Sequence, residues 1–281
     1  MIDPLIVDDL IDRALAEDIG FCDLTSELVI PADARAELAL NARQDIVAAG
    51  IEVAARVFQR RVPECRIELG VKDGERVKAG AAMGRVEGPA RGLLAVERTA
   101  LNFLQHLSGI ATLTAQYVER IAGTRAVLID TRKTTPGLRA LEKHAVQAGG
   151  GRNHRLRLDD GVLIKDNHIS VCGSITAAVG RAKAGVPVLT RIEVECDTLE
   201  QVREALDAGA DMILLDNMSR DDMRKAVALS GGRVPLEASG GVRLETIRAI
   251  AETGVDFISV GRITQSAPAV DIGLDAVITT T

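Results

Sequence analysis

The chain has 281 residues, 47% of them hydrophobic and 26% charged, enough to bury one large core or two smaller ones. Its 34 Lys and Arg stand against 40 Asp and Glu, a net charge of -6, which excludes the broad basic face that tracking a nucleic-acid backbone demands. No apolar run reaches the roughly 18 residues of a membrane span, and residues 1–12 lack the basic-then-apolar order of a signal peptide, so a cytoplasmic protein with neither nucleic-acid nor membrane partners is expected.

Residues 4–18 place Leu5, Leu10, Ile11, Ala14 and Leu15 at helical spacing, and the run stops at Gly20 before a polar turn at Asp23. Strand-like alternation follows over 36–49. Gly50 breaks it, and residues 51–61 return to helical period with Val53, Ala54, Val57 and Phe58 on one face. In CRIELGVKDGERVKAGAAMGRVEG the turns at Gly74, Gly80 and Gly88 separate short alternating runs, which predicts a small antiparallel sheet and an α+β unit up to about residue 105. Residues 93–121 form a long helical pattern that bridges to the rest of the chain, and Gly109 is expected to divide it into two helices.

Beyond Gly123 the texture changes. Apolar runs RAVLID, GVLIKD, RIEVEC, DMILLD, VPLEAS and DFISVG read as buried strands, with NHRLRL a shorter seventh. Between them SITAAVGRAKAG, TLEQVREALDAG, SRDDMRKAVALSGG and RLETIRAIAETG have helical spacing, finish near Gly, and in several cases begin at a capping Ser or Thr. Repeated βα units with apolar strands mean a parallel sheet, and this many right-handed crossovers predict an α/β barrel.

Every apolar strand ends in polar residues or glycine: Asp130, Arg132 and Lys133; Lys165 to His168; Glu193 and Glu195; Asp216 and Asn217; Glu237, Ser239, Gly240 and Gly241; and Gly261. In a barrel these ends converge on the rim where such folds place active sites. Arg132, Lys133, His154, Arg155 and Lys165 inside a net acidic chain point to a ligand with several negative charges, because desolvated cations are costly without one. Glu195 and Asp216 are hard oxygen donors suited to Mg²⁺, directly or through its waters; a structural network with Lys133 and Lys165 is the alternative. The glycines of Ser239-Gly240-Gly241 and Val260-Gly261-Arg262, late in the barrel, fit a backbone nest for phosphate. The thiols Cys22, Cys65, Cys172 and Cys196 have no C-x-x-C spacing and read as isolated and reduced, and with 2% aromatics and no Trp, stacking platforms for bases are nearly absent.

The motifs DTRKTTPGLRALEK, GGGRNHR, LIKDNH, EVEC, LLDNM, EASGG and SVG, with ERTALN in the linking helix, resemble those of the quinolinate phosphoribosyltransferase family along nearly the whole chain. The resemblance implies an N-terminal α/β sandwich over residues 1–108, an incomplete α/β barrel over 109–270, and a tail, 271–281, that packs back on the sandwich. It also implies a homodimer with an active site shared between subunits, and transfer of phosphoribose from phosphoribosyl pyrophosphate to quinolinate with release of pyrophosphate and carbon dioxide. Under it Arg132, His154 and Arg155, with Arg98 from the other subunit, hold the dicarboxylate. Lys133, Thr134, Lys165, and Glu195 and Asp216 acting through Mg²⁺, hold ribose and pyrophosphate, and Ser239, Gly240, Gly241, Val260, Gly261 and Arg262 surround the 5-phosphate. Lys133, Lys165, Glu195 and Asp216 are the residues it places nearest the chemistry.

Two positions depart from the pattern: His144 stands where Tyr is common and Gln265 where His is common, both still polar, so tuning rather than loss of activity is expected. A phosphoribosyltransferase of the same fold acting on nicotinate, or of the molybdenum-operon type, would share the phosphate half of the site. From other classes, Lys165 could serve as the Schiff-base lysine of an aldolase, or the cations could belong to a non-catalytic anion-binding protein.

Overall fold

A computed structural model of the protein describes residues 4–276. The first part of the chain contains α1 (Pro4–Ile19), α2 (Leu24–Val29), β1 (Arg35–Ala42), β2 (Ile46–Val47), α3 (Ile51–Arg61), β3 (Arg66–Leu69), β4 (Arg76–Val77), β5 (Ala82–Pro89) and α4 (Ala90–Arg120). Then come β6 (Val127–Ile129), α5 (Arg139–Ala148), β7 (Val162–Ile164), α6 (Asp166–Cys172), α7 (Ile175–Gly185), β8 (Ile192–Cys196) and α8 (Leu199–Ala208). The chain closes with β9 (Met212–Asp216), α9 (Arg220–Ser230), β10 (Leu236–Ser239), α10 (Ile247–Ala251), β11 (Phe257–Ser259), α11 (Arg262–Gln265) and β12 (Ile272–Ala276).

Two compact units result, neither continuous in sequence. One comprises residues 1–115, 135–150 and 266–281, the other 116–134 and 151–265. In the first, an antiparallel sheet in the order β12-β1-β5-β3 is built by hydrogen bonds between β1 and β5, β3 and β5, and β1 and β12, while β2 and β4 pair separately. Leu38, Val86, Val57, Phe58, Leu93 and Leu104 are buried there. The part of the tail within the described residues is β12, whose Leu274 is registered with Leu40; residues 277–281 of the expected tail lie outside them.

The helix α4 is one element, not the pair expected at Gly109. A helix-interior glycine costs about 1 kcal/mol relative to alanine, and packing explains it here: a Cβ at Gly109 would stand 2.2 Å from the Pro268 carbonyl oxygen. The glycine marks a close backbone approach.

In the second unit six parallel strands run in the order β6-β11-β10-β9-β8-β7. The first strand lies beside the last, the circular order of a barrel, and the junction between β6 and β7 stays open. The strands are buried at Leu128, Ile164, Val194, Leu215, Ala238 and Ile258. Ser174, Thr198 and Ser219 cap α7, α8 and α9 by accepting an amide hydrogen, as their sequence positions predict. NHRLRL is not a seventh strand. Only Arg152 bridges to β6, through its amide to the Leu128 carbonyl and its carbonyl to the Asp130 amide, and beyond it Asp160 accepts the amides of Leu156 and Arg157 and turns the segment into a loop. No helix among the described residues is long and apolar enough to cross a membrane.

Candidate active site

The candidate site is built from residues of the second unit. Asp130, fully buried just past β6, organises the open edge of the sheet: one carboxylate oxygen accepts from the Asn153 side chain at 2.7 Å and the other from the His154 amide at 2.8 Å. The loop after Arg152 is thereby fixed to the end of β6, which carries His154 and Arg155 to the strand ends. Past Asp130, the Thr131 hydroxyl accepts the Lys133 amide at 3.0 Å and the Thr264 hydroxyl donates to the Lys133 carbonyl at 2.7 Å. Gly261 leaves room for the lysine, since a Cβ there would be 2.8 Å from Lys133 Cδ.

At the other edge of the sheet Lys165, at the end of β7, is ion-paired with Glu195 on β8. His168 folds back and accepts the Lys165 amide at 2.9 Å, so it shapes the start of α6. Asp216 ends β9 and accepts from the Asn217 side chain at 2.7 Å. Asn217 is the one non-glycine with positive φ among the described residues, at 53°. Its amide donates to the Ser239 carbonyl, and its side chain lies against Gly240, where φ is +89° and a Cβ would stand 2.1 Å from Asn217 Oδ1. Only glycine fits that turn.

Beneath the rim, alternation along β8 turns Glu193 to the same side as Glu195, and β10 contributes Glu237. They are 5% and 1% exposed. His154 Nε2 lies 2.8 Å from a Glu193 oxygen and 3.5 Å from Glu237, and the three ligand-type atoms lie within 4.8 Å of one another. Burial, reinforced by the charge of Glu193, pushes the Glu237 carboxyl well above the usual range. Burial and the nearby Arg132 lower Arg155, which stays charged. Glu237 is within hydrogen-bonding reach of both Glu193 and Ser259, whereas Arg132 Nε is buried without a hydrogen-bond partner among the described residues.

A cavity of about 620 Å³ gathers Arg132, Lys133, His154, Arg155, Lys165, Glu195, Asp216, Ser239, Gly240 and Gly241 on its lining, ten of the residues expected from sequence. Thr134, Val260, Gly261 and Arg262 follow these strand ends without lining it; Val260 is buried and Arg262 exposed. The model of the quinolinate phosphoribosyl transferase C-terminal domain matches residues 110–275, and that of the N-terminal domain residues 23–108. The chain belongs to the quinolinate phosphoribosyltransferase family.

A nicotinate-nucleotide pyrophosphorylase (carboxylating) of Mycobacterium leprae is 44% identical over 273 residues, covering 95% of this chain and 96% of that one. A quinolinate phosphoribosyltransferase (decarboxylating) of Nicotiana tabacum is 41% identical, covering 95% and 81%. The solved structure of the nicotinate-nucleotide pyrophosphorylase from Francisella tularensis superposes with a TM-score of 0.95 at 40% identity over 98% of both chains.

Within this family frame, Arg98 is exposed on α4 in the first unit, one turn from the exposed Asn102. His144, also in the first unit, meets Asp73 at 2.7 Å. Asp73 caps α3 through the Ile51 amide; burial works to raise its carboxyl, but these bonds hold it below the usual value. Gln265 is exposed at the end of α11. Glu193, Glu237 and Asn217 were legible as strand-end residues but not as part of the site. The signal for Glu193 and Glu237 was present: an acidic residue inside an apolar run, facing the interior by alternation.

Proposed function

We propose that this chain transfers the phosphoribosyl group of phosphoribosyl pyrophosphate to quinolinate with loss of carbon dioxide, giving nicotinate mononucleotide and pyrophosphate for NAD synthesis. The observation that carries the reading is the convergence of two arginines and two lysines with Glu195, Asp216 and a glycine turn on one cavity, in a chain of this family. Quinolinate is a pyridine with adjacent carboxylates, and planar guanidinium forks take carboxylates two bonds at a time. Arg132 and Arg155 fit that task, and the Arg132 Nε donor still lacks a protein acceptor. Lys165 is ion-paired with Glu195 rather than set in the apolar pocket of a Schiff-base lysine, which disfavours the aldolase reading.

In the proposed reaction the pyridine nitrogen attacks the anomeric carbon as the bond to pyrophosphate breaks, through an oxocarbenium-like state of the kind met in glycoside cleavage. Lys133 and Lys165 stabilise negative charge gathering on the leaving group, while Glu195 and Asp216 offset positive charge on the ribose. The 2-carboxylate then leaves as carbon dioxide, its electron pair drawn toward the quaternised ring nitrogen, and a proton takes its place. The protein's part in that step is to hold the ring. The turns Ser239 to Gly241 and Val260 to Arg262 are assigned to the ribose 5-phosphate end, and Thr134 to the ribose and pyrophosphate beside Lys133.

Mg²⁺ fits the donor set. Glu195 and Asp216 line the same cavity, each has one oxygen engaged by a protein donor, and two carboxylates suit an ion that keeps waters and substrate phosphates as its other ligands. When bound it supplies positive charge at the pyrophosphate. We further assign Arg98 to the dicarboxylate site of a second copy in a homodimer, in keeping with its exposure on α4, and a cytoplasmic location, in keeping with four free thiols.

The test is to mix the protein with quinolinate, phosphoribosyl pyrophosphate and Mg²⁺ and to follow pyrophosphate and carbon dioxide. Equal release of both, with nicotinate mononucleotide formed, is expected. Pyrophosphate release with nicotinate but not with quinolinate would transfer the chain to the alternative acceptor class.

A further inference from the structure

We infer that His154 is a positioning residue for the dicarboxylate grip: its neutral ring is a strut between the Arg155 backbone and buried Glu193, and Arg155 makes the contact with substrate. The inference rests on the proposed quinolinate reaction for its consequence, but its geometry stands independently.

The ring nitrogens decide it. His154 Nδ1 accepts the Arg155 amide hydrogen at 2.8 Å, so that nitrogen carries no proton. The ring proton then sits on Nε2 and is donated to Glu193 Oε2 at 2.8 Å. An imidazolium would turn an N–H of its own against the Arg155 amide hydrogen, so the charged ring is incompatible with this arrangement. With both nitrogens engaged, the ring has no hydrogen to offer a carboxylate. Turning it toward substrate would strip the donor from Glu193, which is 5% exposed.

The same bonds explain what the ring accomplishes. Asn153 and the His154 amide are held by Asp130, the Arg155 amide by the His154 ring, and the Arg155 guanidinium by the Gly161 carbonyl at 2.9 Å. Asn153 and His154 are tied to Asp130 just past β6, and the ring joins the Arg155 amide to Glu193 on β8, so the guanidinium starts from an ordered backbone and loses less freedom on gripping a ligand. The segment needs this because it bridges the sheet only at Arg152 and has no strand ladder of its own.

The first experiment is ¹⁵N NMR of the intact protein with labelled histidine. A single Nε2–H tautomer is expected for His154, unchanged when quinolinate is added. A doubly protonated ring, or a hydrogen on Nδ1, in either state would overturn the inference. Because this needs no turnover, it decides the strut even if quinolinate proves not to be a substrate, an outcome that would sink the functional reading alone.

The second is kinetic. His154→Ala and Glu193→Ala should each raise the KM for quinolinate about ten-fold while that for phosphoribosyl pyrophosphate moves less than about two-fold. The double variant should be no worse than the poorer single one, and Glu193→Gln, which keeps an acceptor oxygen, should recover most of the loss even if Glu193→Ala folds poorly. A normal quinolinate KM in Glu193→Ala, or losses that multiply in the double variant, would make His154 a direct ligand instead.

Discussion

In the antiparallel sheet of the first unit Arg85 meets Glu37 at 3.0 Å across β1 and β5 with both side chains in contact with solvent, whereas in the parallel sheet of the second Glu193 and Glu237 are 5% and 1% exposed. The exposed pair is worth at most about 1 kcal/mol and can change without consequence. The buried carboxyls carry a desolvation cost, and both lie against His154, the neighbour of Arg155 on the cavity lining. The Arg85–Glu37 pair keeps the face of its sheet wet, whereas Glu193 and Glu237 lie beneath the strand ends that surround a cavity.

The largest test of this contrast is Arg132→Ala. Losing two charge-assisted bonds to a carboxylate should lower kcat/KM for quinolinate roughly 10²–10³-fold at unchanged folding, and a variant with its full rate would remove Arg132 from the site. Gly240→Ala comes next. The added methyl meets the Asn217 side chain and the +89° φ disfavours it, so the KM for phosphoribosyl pyrophosphate should rise about ten-fold with quinolinate KM little changed.

Glu237→Gln probes the buried interior by pH. The folded-state value of Glu237 is raised, so its favourable contribution is complete below the ordinary carboxyl range and is lost as pH rises through the folded value. The melting temperature of the variant should therefore gain on the wild type as pH increases, and a difference flat with pH would show that Glu237 is ionised when folded. The smallest effect is expected for Arg85→Ala, within about 0.5 kcal/mol by denaturant melting. A loss of several kcal/mol there would erase the distinction between the two units.

Much of this was legible in the chain. The six apolar runs are all strands, and Ser174, Thr198 and Ser219 cap the helices they were expected to begin, because both signals are local: side-chain alternation, and a hydroxyl within reach of an amide three residues on. The misreadings came where a distant group decides. Gly109 looks like a helix break until Pro268 is seen against it, and NHRLRL alternates like a strand although Asp160 turns it.

The site divides along the same line. The inventory of cations, carboxylates and glycines at successive strand ends can be read from the chain alone, as can the family from its motifs. The partners are visible only once the chain is folded: Lys165 pairs with Glu195, Gly240 lies on Asn217, and His154 spends both nitrogens on the protein. Alternation tells which face a side chain takes, but partners such as His154 and Glu193, 39 residues apart, are set by the order in which the strands close around the barrel.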